Sequence, residues 1–265
     1  MAKRTCSIKV CPDAAYCRSW CKAHYARFKR HGDPEGGWHA YRFDETFFDV
    51  IDTEAKAYWL GFITADGCVQ MGPVGANGWQ RNELSVNLKQ SDAGHLEKLK
   101  ASLGAENPVR ISAKGSAKAT ADIHLSSRHL VESLIRLGVT PRKSLTVQPW
   151  NGPAHLMRHY WRGMVDGDGT IVRHPQERDK WHLRLLGTEA CMEAFRLWAA
   201  GVCGTAAKKY PKGNIWSFTA GGLASPQALV RALYDGSTVY LDRKHELAVR
   251  LMALPIRHRS PRRAA

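Results

Sequence analysis

Two ten-residue segments place an acid directly after an apolar helical stretch. They are Tyr-Trp-Leu-Gly-Phe-Ile-Thr-Ala-Asp-Gly at 58–67 and Tyr-Trp-Arg-Gly-Met-Val-Asp-Gly-Asp-Gly at 160–169. Each holds a glycine, Gly61 or Gly163, inside the helical pattern, where it costs about 1 kcal/mol relative to alanine. Close approach of two helix backbones is a physical reason to tolerate that cost. Helices packed at those glycines would bring Asp66 and Asp168 to the same end of the pair. Each carboxylate would then lie at a helix C-terminus, where the macrodipole disfavours an anion. Two such acids call for a cation. Hydrated Mg²⁺, which takes one or two carboxylates together with phosphate oxygens, is the natural candidate. For one segment alone, an Asp-Gly that merely ends a core helix is an equal reading; repetition argues against it for the pair. Asp166 is the weaker catalytic candidate, because its counterpart in the first segment is Thr64.

A second constellation lies near the N-terminus. Cys6, Cys11, Cys21 and His24 have the spacing C-x(4)-C-x(9)-C-x(2)-H. Three thiolates and one imidazole suit tetrahedral Zn²⁺ in a closed, structural site. So short a segment could not fold on core burial alone, and metal would supply its stability. Cys17 departs from the simple pattern and could replace a ligand, and a set of free thiols is the plainer alternative. The basic run that follows, with Arg27, Lys29 and Arg30, reads as a phosphate-contacting helix. Cys68, Cys191 and Cys203 are scattered and read as buried apolar residues.

The elements that must position the two acids repeat with them. Helical spacing over Glu54 to Ala65 is followed by strand patterns at 68–71 and 83–88, where Leu84, Val86 and Leu88 alternate with polar residues. A helix is expected over 92–103, with Ser91 or Asp92 as its N-cap and Gly104 after its end. Two short strands, 109–112 and 121–125, precede a helix over 128–137. The second half has a helix at 155–165, strands at 170–173 and 181–186, and a helix at 189–200. Strands at 206–210 and 215–219 then lead to helices at 227–234 and 242–254. The fold class expected is α/β (α+β): two tandem αββαββα units in one pseudo-twofold body with antiparallel hairpins. The domains expected are a Cys-rich module at 1–37, a first repeat at 44–150, a second at 151–254 and a basic tail at 255–265. A helix-breaking linker runs from His31 to Gly37, and the boundary between repeats falls near Trp150-Asn151-Gly152-Pro153.

The two motifs and the order of elements between them, about four-fifths of the chain, resemble the LAGLIDADG homing endonucleases, with Gly61 and Gly163 at the motif's central glycine. The resemblance implies hydrolysis of both DNA strands across the minor groove, one strand at each acidic centre, leaving short 3′ overhangs. It also implies a lysine near each centre, to polarise water or offset phosphate charge. The matching segments Pro141-Arg142-Lys143-Ser144-Leu145 and Leu241-Asp242-Arg243-Lys244-His245 supply Lys143 and Lys244; a solvated or phosphate-touching basic pair is an equal reading. Asp92 and Glu189 fall where the family carries a variable polar side chain near the metals, and are as well explained as helix N-terminal acids. Base readers in the major groove would come from alternating polar strand residues: Ser85, Asn87 and Lys89 in one unit, His182 and Arg184 in the other. The cysteine cluster resembles small zinc-binding modules attached to phage-type endonucleases.

Bulk properties agree. The chain has 265 residues, 44% hydrophobic and 24% charged, an ordinary globular composition. Its formal charge of +15 and pI near 9.7 favour a polyanionic partner, nucleic acid before an acidic membrane surface, and the resemblance narrows that to double-stranded DNA. No stretch of about 18 apolar residues could span a membrane, and no secretory signal opens the chain. Seven cysteines, four of them before residue 22, suit a reducing compartment. An intracellular, monomeric DNA endonuclease is the expectation. The alternative is a protein that kept the fold and lost cleavage, such as an RNA maturase or transcription regulator. Acids at both motif ends favour the enzyme. A protein-splicing element is disfavoured by the Met start and the Arg-Arg-Ala-Ala end.

Overall fold

The structure, a computed structural model, describes residues 4–8, 11–31, 34, 41–73, 81–113, 119–177, 180–204 and 207–255. Most of the expected linker, the tail beyond residue 255 and the side chain of Arg30 lie outside the described residues. The chain divides into two compact units, Met1–Arg42 and Phe43–Ala265.

In the smaller unit, two isolated β-bridges, Thr5 with Ala14 and Cys17 with Trp20, lead into helix α1 (Lys22–His31). Apolar area is scarce here: Trp20 packs on Phe28 with ring centroids 4.9 Å apart, and Arg18 lies over the same ring.

The larger unit contains the tandem repeat. The first half runs α2 (Glu54–Asp66), β1 (Gly67–Met71), β2 (Asn82–Lys89), α3 (Ala93–Ser102), β3 (Arg110–Ser112), β4 (Thr120–Ser126) and α4 (Arg128–Arg136). The second runs α5 (Ala154–Asp168), β5 (Gly169–Arg173), β6 (Trp181–Gly187), α6 (Glu189–Cys203), β7 (Lys208–Lys212), β8 (Ile215–Gly222), α7 (Ala224–Tyr234) and a further helix, α8 (Asp242–Met252). Each half forms one antiparallel four-stranded sheet, in the orders β1-β2-β4-β3 and β5-β6-β8-β7. The fold is therefore mixed α/β, with the αββαββα order carried twice.

Period-two alternation explains how each sheet packs. In β2, Leu84, Val86 and Leu88 are buried while Glu83, Ser85, Asn87 and Lys89 face away; in β6, Trp181, Leu183 and Leu185 are buried. The core joins these faces to α2 and α5, which are buried over most of their length. Two expectations need correction. Cys68 is exposed, because it follows buried Gly67 and precedes buried Val69 on β1; Cys191 is buried and Cys203 half-buried. Helix α5 does not stop at Val165 but continues through Asp166-Gly167 to Asp168. No helix among the described residues is long and apolar enough to cross a membrane.

Candidate active site and metal centre

Helices α2 and α5 pack together at their two glycines. A Cβ on Gly61 would lie 2.0 Å from the Tyr160 carbonyl oxygen, and one on Gly163 would lie 2.1 Å from the Tyr58 carbonyl oxygen. Asp66 is the last residue of α2 and Asp168 the last of α5. The two ends are neighbours: a Cβ on Gly167 would meet the Ala65 Cβ at 2.3 Å and the Asp66 carboxyl carbon at 3.5 Å. Burial pushes the Asp66 carboxyl up to about 6, and the negative charge of Asp168 adds to the rise. Lys244, Lys143 and Arg243 work against it. Asp168 reaches solvent more than Asp66 does, yet the surrounding protein raises its carboxyl as well, against the pull of Lys143 and Lys244. Two carboxyls that resist ionisation side by side gain from a shared divalent ion, so the donor set fits Mg²⁺.

Neither lysine is solvated. Lys143, 7% exposed, donates from Nζ to the carbonyl oxygens of Ala65 at 3.3 Å and Gly67 at 2.6 Å. Lys244, 3% exposed, is surrounded by four: Val165 at 2.7 Å, Asp166 at 2.5 Å, Gly167 at 3.2 Å and Gly169 at 2.8 Å. Each ammonium thus occupies the negative end of the helix that carries the acid, satisfying carbonyls the helix leaves open. Burial lowers both, Lys244 to about 8, and the neighbouring carboxylates oppose that fall. The four carbonyl contacts of Lys244, shared among three N–H donors, hold the last three residues of α5, where Asp-Gly-Asp-Gly by itself reads as a helix stop.

Asp166 turns inward. It accepts from the Tyr234 hydroxyl on Oδ1 at 2.7 Å, and from the Tyr58 hydroxyl at 2.7 Å and the Leu241 amide at 2.8 Å on Oδ2. Burial pushes its pKa up, while Lys244, the two tyrosine hydroxyls and the Leu241 amide favour the charged carboxylate. The Tyr58 hydroxyl spends its proton there, so its contact with His95 Nε2 at 3.0 Å requires His95 to donate. That leaves His95 Nδ1 buried and without a partner among the described residues. Fully buried Arg162 donates to Glu54 at 2.6 Å and to the carbonyls of Val239 and Leu233, both at 2.9 Å. Sequence reasoning missed both networks. The available signal was a lone arginine in an apolar motif, standing where the first motif has Leu60.

Asp92 makes no cap bond; its carboxylate pairs with Arg243 at 2.9 Å and Lys89 at 3.7 Å. Glu189 pairs with Lys209 at 3.0 Å. Ser85, Asn87, Lys89, His182 and Arg184 all lie on the faces of the sheets turned away from the core.

In the smaller unit, Cys6, Cys11, Cys21 and His24 bring their ligand atoms within 4.8 Å of one another. The His24 Nδ1 is 3.4 Å from Cys6 Sγ and 3.1 Å from Cys21 Sγ, and the Cys11 and Cys21 sulfurs are 4.0 Å apart. A tetrahedron with Zn–S bonds of about 2.3 Å has edges of about 3.8 Å, so the four atoms fit that ion. Cys17 is not in the cluster; its thiol faces Tyr25. Arg27 and Lys29 are exposed on α1.

No protein-family model matches the chain, and no curated protein matches it. Among solved structures, the LAGLIDADG meganuclease I-AabMI bound to uncleaved DNA is 11% identical, covering 74% of this chain and 88% of that one, with a TM-score of 0.48. The I-LtrWI LAGLIDADG homing endonuclease bound to target DNA is 10% identical, covering 78% and 90%, at 0.49. Full-length DUF199/WhiA from Thermatoga maritima is 18% identical, covering 79% and 64%, at 0.46.

Proposed function

We propose that this chain is a metal-dependent DNA endonuclease of the LAGLIDADG homing type, hydrolysing one strand of a duplex at each of two acidic centres. The observation that carries this reading is the glycine-to-backbone packing of α2 and α5, which ends both helices in adjacent aspartates with raised pKa values. A pair that resists ionisation is costly to a protein with no use for a cation there. Divalent ions held by Asp66 and Asp168 would supply a water of lowered pKa and stabilise the leaving oxygen. Lys143 and Lys244 hold the two helix ends in place and offset negative charge as a phosphate approaches. The open faces of the two sheets, with Ser85, Asn87, Lys89, His182 and Arg184, would read base edges in the major groove.

In this reading the Cys3His cluster binds Zn²⁺ and stabilises the 1–37 module, with Arg27, Lys29 and Arg30 on phosphates. The two repeats form one catalytic body, which acts as a monomer inside the cell, and the basic tail adds charge. The test is Mg²⁺-dependent cleavage of a randomised duplex library by the intact chain, Asp66→Asn and Asp168→Asn. Cutting of both strands at one enriched site, lost in each variant, is the expected result. Enrichment by binding with no cutting at any Mg²⁺ concentration would instead make the chain a nucleic-acid binder.

A further inference from the structure

The two sheets differ in charge at equivalent places: the first carries acids and the second carries none. Register fixes the equivalence. Ser85 pairs with Cys68 and His124; Arg184 pairs with Thr170 and Thr219. Cys68 and Thr170 each stand two residues after a motif acid, so Ser85 corresponds to Arg184 and His124 to Thr219. By the same count Glu83 corresponds to His182, and Asp122, opposite Asn87, to Ser217, opposite Leu186.

On the first sheet these positions build an acid–histidine–acid bridge. His124 Nδ1 is 3.0 Å from Glu83 Oε1, and its Nε2 is 3.0 Å from Asp122 Oδ2. Arg81 also reaches Glu83 Oε1, at 2.8 Å. These contacts use Glu83 Oε1 and Asp122 Oδ2 and leave Glu83 Oε2 and Asp122 Oδ1 outside the bridge. Both side chains are mostly covered, at 12% and 14% exposure, and so are held in one orientation with little freedom left to lose. Burial works against ionisation of Glu83, but hydrogen bonds from His124 and Arg81 hold it below its ordinary range. Arg110 stands opposite Asp122 in the register, and Lys89 lies further along the same face. The second sheet carries no acid in any of its strands. Its open face has Arg184, Lys208 and Lys212, with Arg184 beside the Tyr210 hydroxyl.

We infer that the two sheets select base edges of opposite polarity: Glu83 and Asp122 accept from a cytosine amino group in one half of the target, and Arg184 donates to a guanine in the other. This rests on the proposed DNA-binding reading. In the major groove cytosine offers N4 as a donor with no acceptor of its own beside it. The N6 of adenine lies between its own N7 and the thymine O4, both acceptors that repel a carboxylate. Arg184 has the fork geometry that matches guanine O6 and N7. Ser217, in the place of Asp122, is fully buried and uncharged, so the second sheet has no acceptor there.

The experiment is binding selection of a randomised duplex library by the full chain without Mg²⁺, repeated with Asp122→Asn, Glu83→Gln and Arg184→Lys, each checked for an unchanged melting temperature. The wild type is expected to enrich cytosine at one or two positions of one half and guanine in the other. Asp122→Asn should move the cytosine preference toward adenine, which a carboxamide both donates to and accepts from, with cytosine selection falling about tenfold. Arg184→Lys keeps the charge and loses the fork, so guanine selection should fall in the other half alone. If Asp122→Asn melts early, Glu83→Gln carries the test of the first half. A selected site without that cytosine, or the same base preferences from all variants, overturns the inference and leaves the nuclease reading standing. Failure of the wild type to enrich any sequence removes the DNA-binding reading and this inference with it.

Discussion

Gly61 and Tyr160 touch through their backbones so closely that a methyl group added to the glycine would sit 2.0 Å from the tyrosine carbonyl oxygen. Gly163 stands in the same relation to Tyr58 at 2.1 Å. The obstacle is main chain in both cases, so no rotamer change relieves it. Gly61→Ala and Gly163→Ala should each destabilise the larger unit by about 3 kcal/mol, despite the helix propensity they gain. Gly201→Ala, on α6 with nothing within 4 Å of its added Cβ, should stabilise by about 0.5–1 kcal/mol. Urea denaturation of the three variants checks the contrast; equal midpoints for all three would mean that the helices do not meet as described.

Asp166 and Asp168 stand two residues apart and divide two tasks. Asp166→Asn puts an amide among three donors, and should cost about 3 kcal/mol because two buried tyrosine hydroxyls and the Leu241 amide lose a charged acceptor. Asp168→Asn removes a carboxyl whose ionised form the fold disfavours, so its stability should match or exceed that of the wild type. Paired denaturation curves separate the two. A destabilised Asp168→Asn beside an unaffected Asp166→Asn would reverse the assignment.

Lys244 caps more carbonyls than Lys143, and the consequence is a ranking. Lys244→Met should cost more than Lys143→Met, both in the range of about 2–4 kcal/mol for leaving buried carbonyls unpaired. Faster amide exchange in α5 should reach its last turn in Lys244→Met, while Lys143→Met should loosen the end of α2. Equal costs with no local change in exchange would remove the capping role.

Much of this arrangement is visible in the sequence because it is local. Period 2 over 83–88 reflects one buried face, the unbroken apolar run inside 54–65 reflects a helix buried on every side from Ala57 to Thr64, and a glycine inside such a helix points to close approach before any partner is known. The unread part is relational. Lys244 meets the end of α5 from 75 to 79 residues away, and Arg162 meets Glu54 from 108. Neither pairing leaves a periodic trace. Asp-Gly-Asp-Gly reads as a stop because its propensity is poor, and tertiary capping overrides that propensity. The exposure of Cys68 was within reach, since alternation from Val69 assigns it to the outer face.

The metal-binding reading of the smaller unit separates two cysteine sets. Zn²⁺ should bind the chain in a one-to-one ratio, and Cys6→Ser or Cys21→Ser should abolish tight binding. Cys17→Ser, outside the cluster, should retain it. Removing the metal with a chelator should unfold the 1–37 module while leaving the unfolding transition of the larger unit unchanged. Zinc retained in Cys21→Ser and lost in Cys17→Ser would assign the ligands differently.

His95 makes stability depend on acid. Burial lowers its pKa from the ordinary 6.5 to about 3, with Lys98 adding to the fall. Between those values the unfolded chain takes up a proton that the folded chain refuses. The stabilisation linked to neutral His95 is therefore complete above about pH 6.5 and is lost progressively as pH falls toward 3, at up to about 1.4 kcal/mol per pH unit. His159, lowered to about 4 chiefly by burial, contributes in the same direction, so a difference measurement isolates His95. Denaturation of the wild type and His95→Gln at pH 7.5 and pH 5 should show a smaller acid-induced loss in the variant. The variant should also be less stable at pH 7.5, because the Tyr58 hydroxyl loses the imidazole beside it. The same acid-induced loss in both proteins would mean that His95 is protonated in the folded chain, and its Nε2 contact would then belong to an imidazolium.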